Sequence, residues 1–336
     1  MKAVIFEEHG PVSNLKVADL PRPEPAQGQA LVRVRAVALN GFDPMILARI
    51  PGINTPLPMI PGGDIAGEVV AYGPGSAIAG IPIGTRVLVD PLVGNTGVFG
   101  ETVRGGACEF VAVPAINLVP LPDAVSFEDA AALPIAYGTA YRMIRERGKI
   151  AAGEKVLVLG ATGGVGVCSV QLAKLAGAEV AAATSSAAKA EQLRAIGVDH
   201  VINTSEADFV KATQALWGKP RVFDEGGGAD VVVNFVGGDD WPRALRCVRR
   251  GGRVLTCGAT NGYDPKTDIR FIWSFEISIV GSNCWSRGDL VDLLDLVAQG
   301  RLKPQISSVR PLEELPVSLQ ELIDRKVFGK AVLRVA

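Results

Sequence analysis

A chain of 336 residues, of which 48% are hydrophobic and 21% charged, is long enough for two domains with packed cores. Its formal net charge of -1 argues against nucleic acid or a membrane surface as the main partner, since both usually require a basic face. The five dispersed cysteines form no CxxC pair, which argues against a disulfide framework or a zinc site. Because no secretory leader and no apolar run of about 18 residues is visible, we expect a cytoplasmic protein.

The first part of the chain predicts a mostly β domain. Short apolar runs broken by Gly and Pro extend to about Leu121, and several are rich in Val with the period of two that half-buried strands require. The predicted strands are Lys2–Phe6, Ala30–Ala38, Gly67–Ala71, Arg86–Val89 and Glu109–Val113. The last stretch, Gln305 to Ala336, returns to strand-like sequence, as at Lys330–Val335, and is expected to rejoin this domain. The domain is therefore predicted to comprise residues 1–121 and 303–336.

Residues 122–302 predict a second domain with a parallel sheet. Ser126 and Asp129 have the spacing of a helix capping box, and a helix is predicted over Gly138–Arg147. The elements that follow are strand Lys155–Leu159, helix Gly164–Ala176, strand Glu179–Ala183, helix Ala187–Ile196, strand His200–Ile202, and strands Asp230–Phe235, Arg253–Cys257 and Ile277–Val280. Apolar strands that alternate with helices indicate an α/β, doubly wound sheet that is buried on both faces.

The strongest motif is the glycine turn between the first strand and the first helix of this alternation. Glycines allow the backbone to approach a pyrophosphate closely, and the helix N-terminus supplies unpaired N–H groups. Although Ala161 replaces the first glycine of the usual pattern, strand, turn and helix fall where the motif requires them. The predicted cofactor contacts are Gly160, Ala161, Gly163, Gly164, Val165 and Gly166. The alternative is a glycine-rich turn that binds no ligand.

The end of the second strand predicts which dinucleotide is bound. An NAD site usually places Asp or Glu about 20 residues beyond the glycines, to hold the ribose 2′-hydroxyl. This segment contains no acid but has Thr184, Ser185, Ser186 and Lys189, and hydroxyls beside a cation suit a 2′-phosphate. The sequence therefore predicts NADPH as the cofactor. The alternative, that a serine caps the next helix and Lys189 is solvated, is compatible with the same prediction.

The whole chain resembles the medium-chain dehydrogenase/reductase superfamily. The matching segments are MKAVIFEEHGP, ALNGFDPMI, PMIPGGDIAGEVVAYGPG, LPDAVSFEDAAALPIAYGTAYRMI, the glycine turn, RRGGRVLTCGATNG and VFGKAVLRV. The resemblance implies a GroES-like fold for the β domain and a Rossmann fold for the second domain. It also implies that residues of several loops lie near the cofactor: Thr139, Val236, Cys257, Gly258, Ala259, Phe271 and Trp273. Helix capping by Thr139 and a dimer-interface position for Trp273 are the alternatives.

Two departures from the zinc-dependent members define the expected subclass. Those members carry a Cys in the segment that is Asn40–Asp43 here, and Gly-His-Glu where this chain has Gly62-Gly63-Asp64. A catalytic zinc needs about three ligands, and the two histidines, His9 and His200, are far from both segments. The cysteine-rich structural lobe that follows Val89 in such members is also expected to be missing. We therefore expect no metal.

Zinc-free members that resemble this chain mostly reduce quinones, enones or enoyl thioesters. A hydride adds to the β-carbon of an electron-poor alkene and the conjugated carbonyl is the electron sink, so the protein positions the reactants and stabilises the enolate. The resemblance implies that Asn40 and Asp43 are the catalytic residues near the nicotinamide, with Asn40 donating to the carbonyl and Asp43 orienting its neighbours. A turn-stabilising role for the pair is the alternative. The proton is expected from water, since Met45 stands where this branch often has Tyr.

The leading prediction is a zinc-independent, NADPH-dependent reductase of activated C=C bonds or quinones that acts on a small molecule. The first alternative is an alcohol dehydrogenase-like enzyme that interconverts carbonyls and alcohols. The second is a catalytically silent NADPH-binding protein. The apolar strand Ile277–Val280, expected near the edge of its sheet, predicts a homodimer that forms by edge-to-edge pairing.

Overall fold

The structure is a computed structural model that describes residues 1–95, 97–224 and 226–336. Its internal contacts divide the chain into two compact units. Unit 1 comprises residues 1–136 and 287–336, and unit 2 comprises residues 137–286. Each unit builds its own sheets, and the two are described separately.

The regular elements are numbered in chain order. The strands are β1 (Lys2–Ile5), β2 (Lys16–Asp19), β3 (Gln29–Leu39), β4 (Asp64–Tyr72), β5 (Arg86–Val89), β6 (Leu92–Val93), β7 (Gly97–Val98), β8 (Phe110–Pro114), β9 (Leu118–Pro120), β10 (Lys155–Val158), β11 (Glu179–Thr184), β12 (His200–Asn203), β13 (Ala229–Val233), β14 (Val248–Thr256), β15 (Ser278–Gly281), β16 (Ile306–Pro311) and β17 (Lys330–Arg334). The α-helices are α1 (Asp43–Ala48), α2 (Phe127–Ala131), α3 (Thr139–Tyr141), α4 (Gly164–Leu175), α5 (Ala187–Ala195), α6 (Phe209–Trp217), α7 (Asp240–Ala244), α8 (Ile269–Ser274), α9 (Arg287–Ala298) and α10 (Leu315–Ile323).

Unit 1 is built on a seven-stranded sheet of order β16-β17-β3-β4-β5-β9, in which β8 also pairs with β3. The long strand β3 is central because it pairs with β4 along one edge and, along the other, with β8 and then with β17. Val32 and Val34 are fully buried in the core of this unit, as the alternating pattern of the sequence predicts, and Val37 joins the same core beyond a register shift of β3 between Val34 and Ala36. The GroES-like expectation for this part of the chain is confirmed.

The place where the cysteine-rich lobe was expected to be missing is a short hairpin. β6 and β7 pair antiparallel, with Leu92 opposite Val98 and Val93 opposite Gly97. Thr96, which lies between the two strands in the sequence, is outside the described residues. The strand β5 that precedes this hairpin has the bounds predicted from the sequence.

Unit 2 is a six-stranded, all-parallel sheet of order β12-β11-β10-β13-β14-β15. Numbered within the unit, this is the order 3-2-1-4-5-6 of a Rossmann fold, in which ligands bind where the order reverses, between β10 and β13. The residues Val156–Val158 and Val231–Val233 of these two strands are completely buried, as expected for a sheet covered on both faces. The doubly wound fold predicted from the sequence is confirmed.

Several elements differ from the sequence-based expectations. The helix predicted over Gly138–Arg147 has α-helical geometry only in α3, and it is flanked by π-helical segments at Pro134–Gly138 and Arg142–Arg147. The terminal stretch predicted as strand-like contains α10 between β16 and β17. The domain limits predicted after residue 121 and before residue 303 both fall within unit 1 in this division, because α2 packs on β3 and β4 and α9 belongs to the same unit.

Candidate functional site

The glycine turn follows β10, where the strand order of unit 2 reverses. Gly160 has a φ of +65°, which favours glycine, and a Cβ there would lie 2.9 Å from Cγ2 of Val236 beyond the end of β13. A Cβ at Gly166 would collide with the Gly160 carbonyl oxygen and with Ala161. These two glycines therefore allow the turn to close tightly, and the predicted contact residue Val236 lies directly against it.

The N-terminus of α4 has the geometry of an anion-binding site. Gly163 is its N-cap and supplies no side-chain hydrogen bond, so the first-turn N–H groups are available to a ligand. The nearest atom to a Cβ built at Gly163 is 3.9 Å away, which leaves open space over the turn. The twelve-residue helix has no acid in its first turn. The arrangement fits the pyrophosphate of a dinucleotide.

The hydroxyls predicted for a 2′-phosphate lie at the end of β11, the strand beside β10. Ser186 is the N-cap of α5, and its Oγ accepts from the Lys189 N–H at 3.4 Å, while Oγ1 of Thr184 accepts from the Ser186 N–H at 3.2 Å. A serine hydroxyl that accepts in a cap still has its own O–H to donate. Lys189 is half-buried, and burial lowers the pKa of its ammonium group. Capping by Ser186 and contact with a phosphate are thus compatible.

Some of the other predicted cofactor residues lie at the carboxyl edge of the sheet, and others lie elsewhere in unit 2. Cys257, Gly258 and Ala259 follow β14 at the carboxyl edge of the sheet, the edge that carries the glycine turn. Thr139 lies inside a continuous helical stretch rather than at a cap. On α8, the Phe271 ring stacks on Phe275 with centroids 5.8 Å apart, whereas Trp273 is 70% exposed. A role for these residues in cofactor binding stays a prediction.

The residues Asn40 and Asp43 lie in a buried polar cluster of unit 1, together with Asp64 and Lys330. Strand register explains why they meet. Ala331 of β17 pairs with Leu39 of β3, so the next pair along is Lys330 and Asn40. Asp64 begins β4 opposite Ala38, and Asp43 begins α1. All four side chains are buried, and Asn40, at 5%, is the most exposed of them.

Three of these side chains form a closed hydrogen-bond network. The ammonium group of Lys330 donates to Oδ1 of Asn40 and, at 2.9 Å, to Oδ2 of Asp64. Nδ2 of Asn40 donates to the same carboxylate oxygen at 2.9 Å, and the Ile135 N–H donates to Oδ1 of Asp64 at 2.9 Å. One of the two amide N–H groups of Asn40 therefore donates to Asp64, and the second N–H of Asn40 is the one that can donate to a substrate.

Asp43 holds the loop between β3 and α1. Its Oδ2 accepts from the Asn40 N–H at 2.6 Å and its Oδ1 from the Gly62 N–H at 3.3 Å. Burial raises the pKa of Asp43 to about 7, although these two hydrogen bonds and the charge of Lys330 lower it. A buried acid that titrates near neutrality can hold or release a proton under working conditions.

Asp64 and Lys330 are site residues that were not predicted from the sequence. Lys330 is a cation at the start of an otherwise apolar strand, KAVLR, which is a visible but unspecific signal. Asp64 stands in the segment where zinc-dependent members have Gly-His-Glu. The two residues are 266 positions apart, so no local pattern connects them.

The residues present do not fit a catalytic zinc ion. Gly63 occupies the position of the histidine ligand, and a Cβ there would lie 2.5 Å from the carbonyl oxygen of Phe99 and 2.8 Å from Cδ1 of Ile135. Cys108 is buried, and its Sγ donates to the carbonyl oxygen of Phe110 at 3.2 Å. Among residues 1–95, 97–224 and 226–336, no group of three or more His, Cys, Asp or Glu side chains is placed to hold a metal ion.

Comparison with known proteins gives matches to both parts of the chain. Residues 26–123 match the alcohol dehydrogenase GroES-like domain, and residues 164–299 match the zinc-binding dehydrogenase domain. A 2-methylene-furan-3-one reductase from Solanum lycopersicum is 32% identical, with 99% of this chain and 79% of that protein covered. A quinone oxidoreductase from Mus musculus is 29% identical, with 96% and 94% covered. The crystal structure of an NAD-dependent alcohol dehydrogenase is 34% identical, covers both chains completely and has a TM-score of 0.91.

The part of the chain that the structure describes contains no helix long and apolar enough to cross a membrane.

The two domain matches cover more than half of the chain, the reductase from Solanum lycopersicum aligns along nearly all of it, and the strand order of unit 2 is that of a dinucleotide-binding sheet. The chain therefore belongs to the medium-chain dehydrogenase/reductase superfamily of nicotinamide-dependent oxidoreductases.

Proposed function

We propose that this chain is an NADPH-dependent, zinc-independent reductase of activated C=C bonds or quinones. The observation that carries the proposal is the backbone around Gly63, which leaves no room for a side chain where zinc-dependent relatives place a histidine ligand. Without a Lewis acid, the protein can position the reactants and donate hydrogen bonds, so the substrate itself must supply the electron sink. Conjugated carbonyls and quinones have that property.

The proposed cofactor site is the carboxyl edge of the sheet in unit 2. The N-terminus of α4 would hold the pyrophosphate, and Ser185, Ser186 and Lys189 would hold the 2′-phosphate. When bound, the reduced nicotinamide supplies a hydride for the β-carbon of the substrate. The absence of an acid from residues 183–190 supports NADPH over NADH, since a carboxylate there would repel the extra phosphate.

The proposed roles of the buried cluster follow from its hydrogen bonds. As electrons move onto the substrate carbonyl, the second N–H of Asn40 would donate to the developing enolate oxygen, an interaction that strengthens in the transition state. Asp43 would fix the backbone of Asn40 and, with a pKa near 7, would keep a proton available close to the reacting region. The proton that completes the saturated product would come from solvent.

The experiment is NADPH oxidation with a panel of quinones, enones, enoyl thioesters, aldehydes and simple ketones. We expect turnover with conjugated substrates, none with simple ketones, and no loss of activity after exhaustive chelation of metals. Elemental analysis that finds one zinc per chain, or chelation that abolishes turnover, would contradict the zinc-independent assignment.

A second candidate function is alcohol oxidation, favoured by the 34% identity and the TM-score of 0.91 to the structure of an NAD-dependent alcohol dehydrogenase. Incubation with NAD⁺ or NADP⁺ and primary and secondary alcohols separates the two functions. Efficient oxidation of simple alcohols by the chelated enzyme would favour this candidate. Tight NADPH binding without turnover of any compound would instead favour a silent binding protein.

We also propose that the protein is a homodimer that pairs through β15. This strand is the edge of the parallel sheet, and Ile279 within it is 42% exposed. Unpaired backbone groups on an apolar edge strand favour pairing with another strand. Sedimentation equilibrium is expected to give twice the chain mass, and Ile279→Lys to give the monomer. A monomeric wild-type protein would contradict the proposal.

A further inference from the structure

The ammonium group of Lys330 lies completely inside unit 1. The residue is 1% exposed, and its Nζ donates to Oδ1 of Asn40 and Oδ2 of Asp64. We propose that Lys330 is a positioning residue, which holds the amide of Asn40 so that its second N–H, and not its carbonyl oxygen, is presented to the substrate. The inference rests on the proposed function, in which Asn40 donates a hydrogen bond to the substrate.

The orientation of an asparagine amide is decided by its hydrogen-bond partners, because its oxygen and nitrogen ends have nearly the same shape. An ammonium group only donates hydrogen bonds, so the Oδ1 end of the amide is the one that can bind Lys330. A carboxylate only accepts, so Asp64 selects Nδ2, which donates to it at 2.9 Å. A flipped amide would place N–H against the ammonium group and oxygen against the carboxylate. Lys330 and Asp64 thus permit a single orientation of Asn40.

The energetics of the pair point to orientation rather than to stability. The side chains of Lys330 and Asp64 are 2% and 0% exposed, so both charges have lost their hydration. The cost of that loss largely offsets the attraction between buried partners, and apolar residues of similar volume often stabilise a core equally well. What the ion pair supplies, and an apolar pair does not, is one fixed direction for the amide of Asn40.

The test uses a double variant, Lys330→Met with Asp64→Asn, which removes both charges together. The new amide oxygen can still accept from the Ile135 N–H, and Met fills most of the volume of Lys. Lys330→Met alone would leave the Asp64 carboxylate buried without its cation and would strongly destabilise unit 1. The matched control is Arg35→Met with Glu68→Gln, which removes an ion pair of 3.0 Å between β3 and β4 of the same sheet.

The first readout is the side-chain amide of Asn40 in protein labelled with ¹⁵N-asparagine, assigned by its loss in Asn40→Ala. In the wild type and the control pair we expect one sharp pair of N–H signals with well separated proton shifts. In the double variant the amide nitrogen introduced at position 64 faces Asn40, so we expect these signals to move to new shifts as the amide of Asn40 turns over. Unchanged signals in the double variant would overturn the positioning role, whether or not the enzyme reduces any substrate.

The second readout is turnover with a substrate found in the panel. In the double variant we expect kcat to fall about tenfold or more, since a flipped amide offers no donor to the enolate, with NADPH affinity unchanged. The control pair is expected to keep the wild-type kcat. Full kcat in the double variant, when Asn40→Ala has lost turnover, would also overturn the inference. If the wild type reduces no compound, the proposed function fails and the amide signals decide on Lys330 by themselves.

Discussion

Replacing Asp43 by asparagine removes a buried acid whose pKa is raised to about 7 by burial. The sign of the effect on stability follows from proton binding. Between its ordinary value of 3.8 and about 7, the acid is protonated in the folded state and ionised in the unfolded state. The folded state then binds more protons, so the contribution of Asp43 to stability is present at low pH and is lost as the pH rises through 7.

The magnitude follows from the same two values. With a folded-state pKa of about 7 against 3.8, the acid stabilises the fold by roughly 2 to 3 kcal/mol more at pH 5 than at pH 8. The asparagine side chain of the variant does not titrate, so this part of the pH dependence disappears. The variant also loses one acceptor for the N–H groups of Asn40 and Gly62, which lowers its stability equally at both pH values. The prediction therefore concerns the difference between pH 5 and pH 8.

The assay must report on unit 1. The tryptophans, Trp217, Trp241, Trp273 and Trp285, all belong to unit 2, so their fluorescence follows the wrong part of the chain. Hydrogen exchange of peptides from β3 and α1, corrected for the intrinsic rates at each pH, gives the opening free energy where Asp43 acts. An equal change between pH 5 and pH 8 in the wild type and in Asp43→Asn would refute the reasoning and would show that Asp43 stays ionised over this range.

Three further predictions concern single substitutions. Lys189→Ala should weaken NADPH binding about tenfold or more and leave NADH binding unchanged, because a charge-assisted phosphate contact contributes roughly 1.5–3 kcal/mol. Titration calorimetry tests this, with Arg194→Ala on the same helix as the control. Gly63→Ala should destabilise the protein by about 1–3 kcal/mol through overpacking against a backbone oxygen, whereas Gly41→Ala, with open space, should not, as urea unfolding will show. Asn40→Ala should lower kcat about a hundredfold with NADPH affinity intact, and a normal rate would remove Asn40 from catalysis.

The elements that could be predicted from the sequence are those with a strong local pattern. β5 and the β10–turn–α4 unit have apolar runs that are bounded by glycine or proline, and their predicted bounds agree with the structure within a residue or two. α6 was missed although its buried residues, Phe209, Thr213 and Trp217, recur at every fourth position as a helix requires, and the Asp208 side chain caps its start by accepting from the Lys211 N–H. The helical stretch around α3 has π-helical turns, which a regular helix pattern does not predict.

The candidate site shows where local pattern ends and tertiary structure begins. Asn40 and Asp43 lie within one short segment, so they could be identified together by the resemblance of that segment to the superfamily. Lys330 reaches them only because β17 pairs with the end of β3, and Asp64 only because β4 starts opposite Ala38. A slip of one residue in the β3–β17 register would turn Lys330 to the other face of the sheet and leave Asp64 without its cation. The register of β17, at the far end of the chain, thus decides whether the cation of Lys330 reaches Asn40 and Asp64. The buried cluster in turn favours that register, because any other would bury the Asp64 carboxylate unpaired.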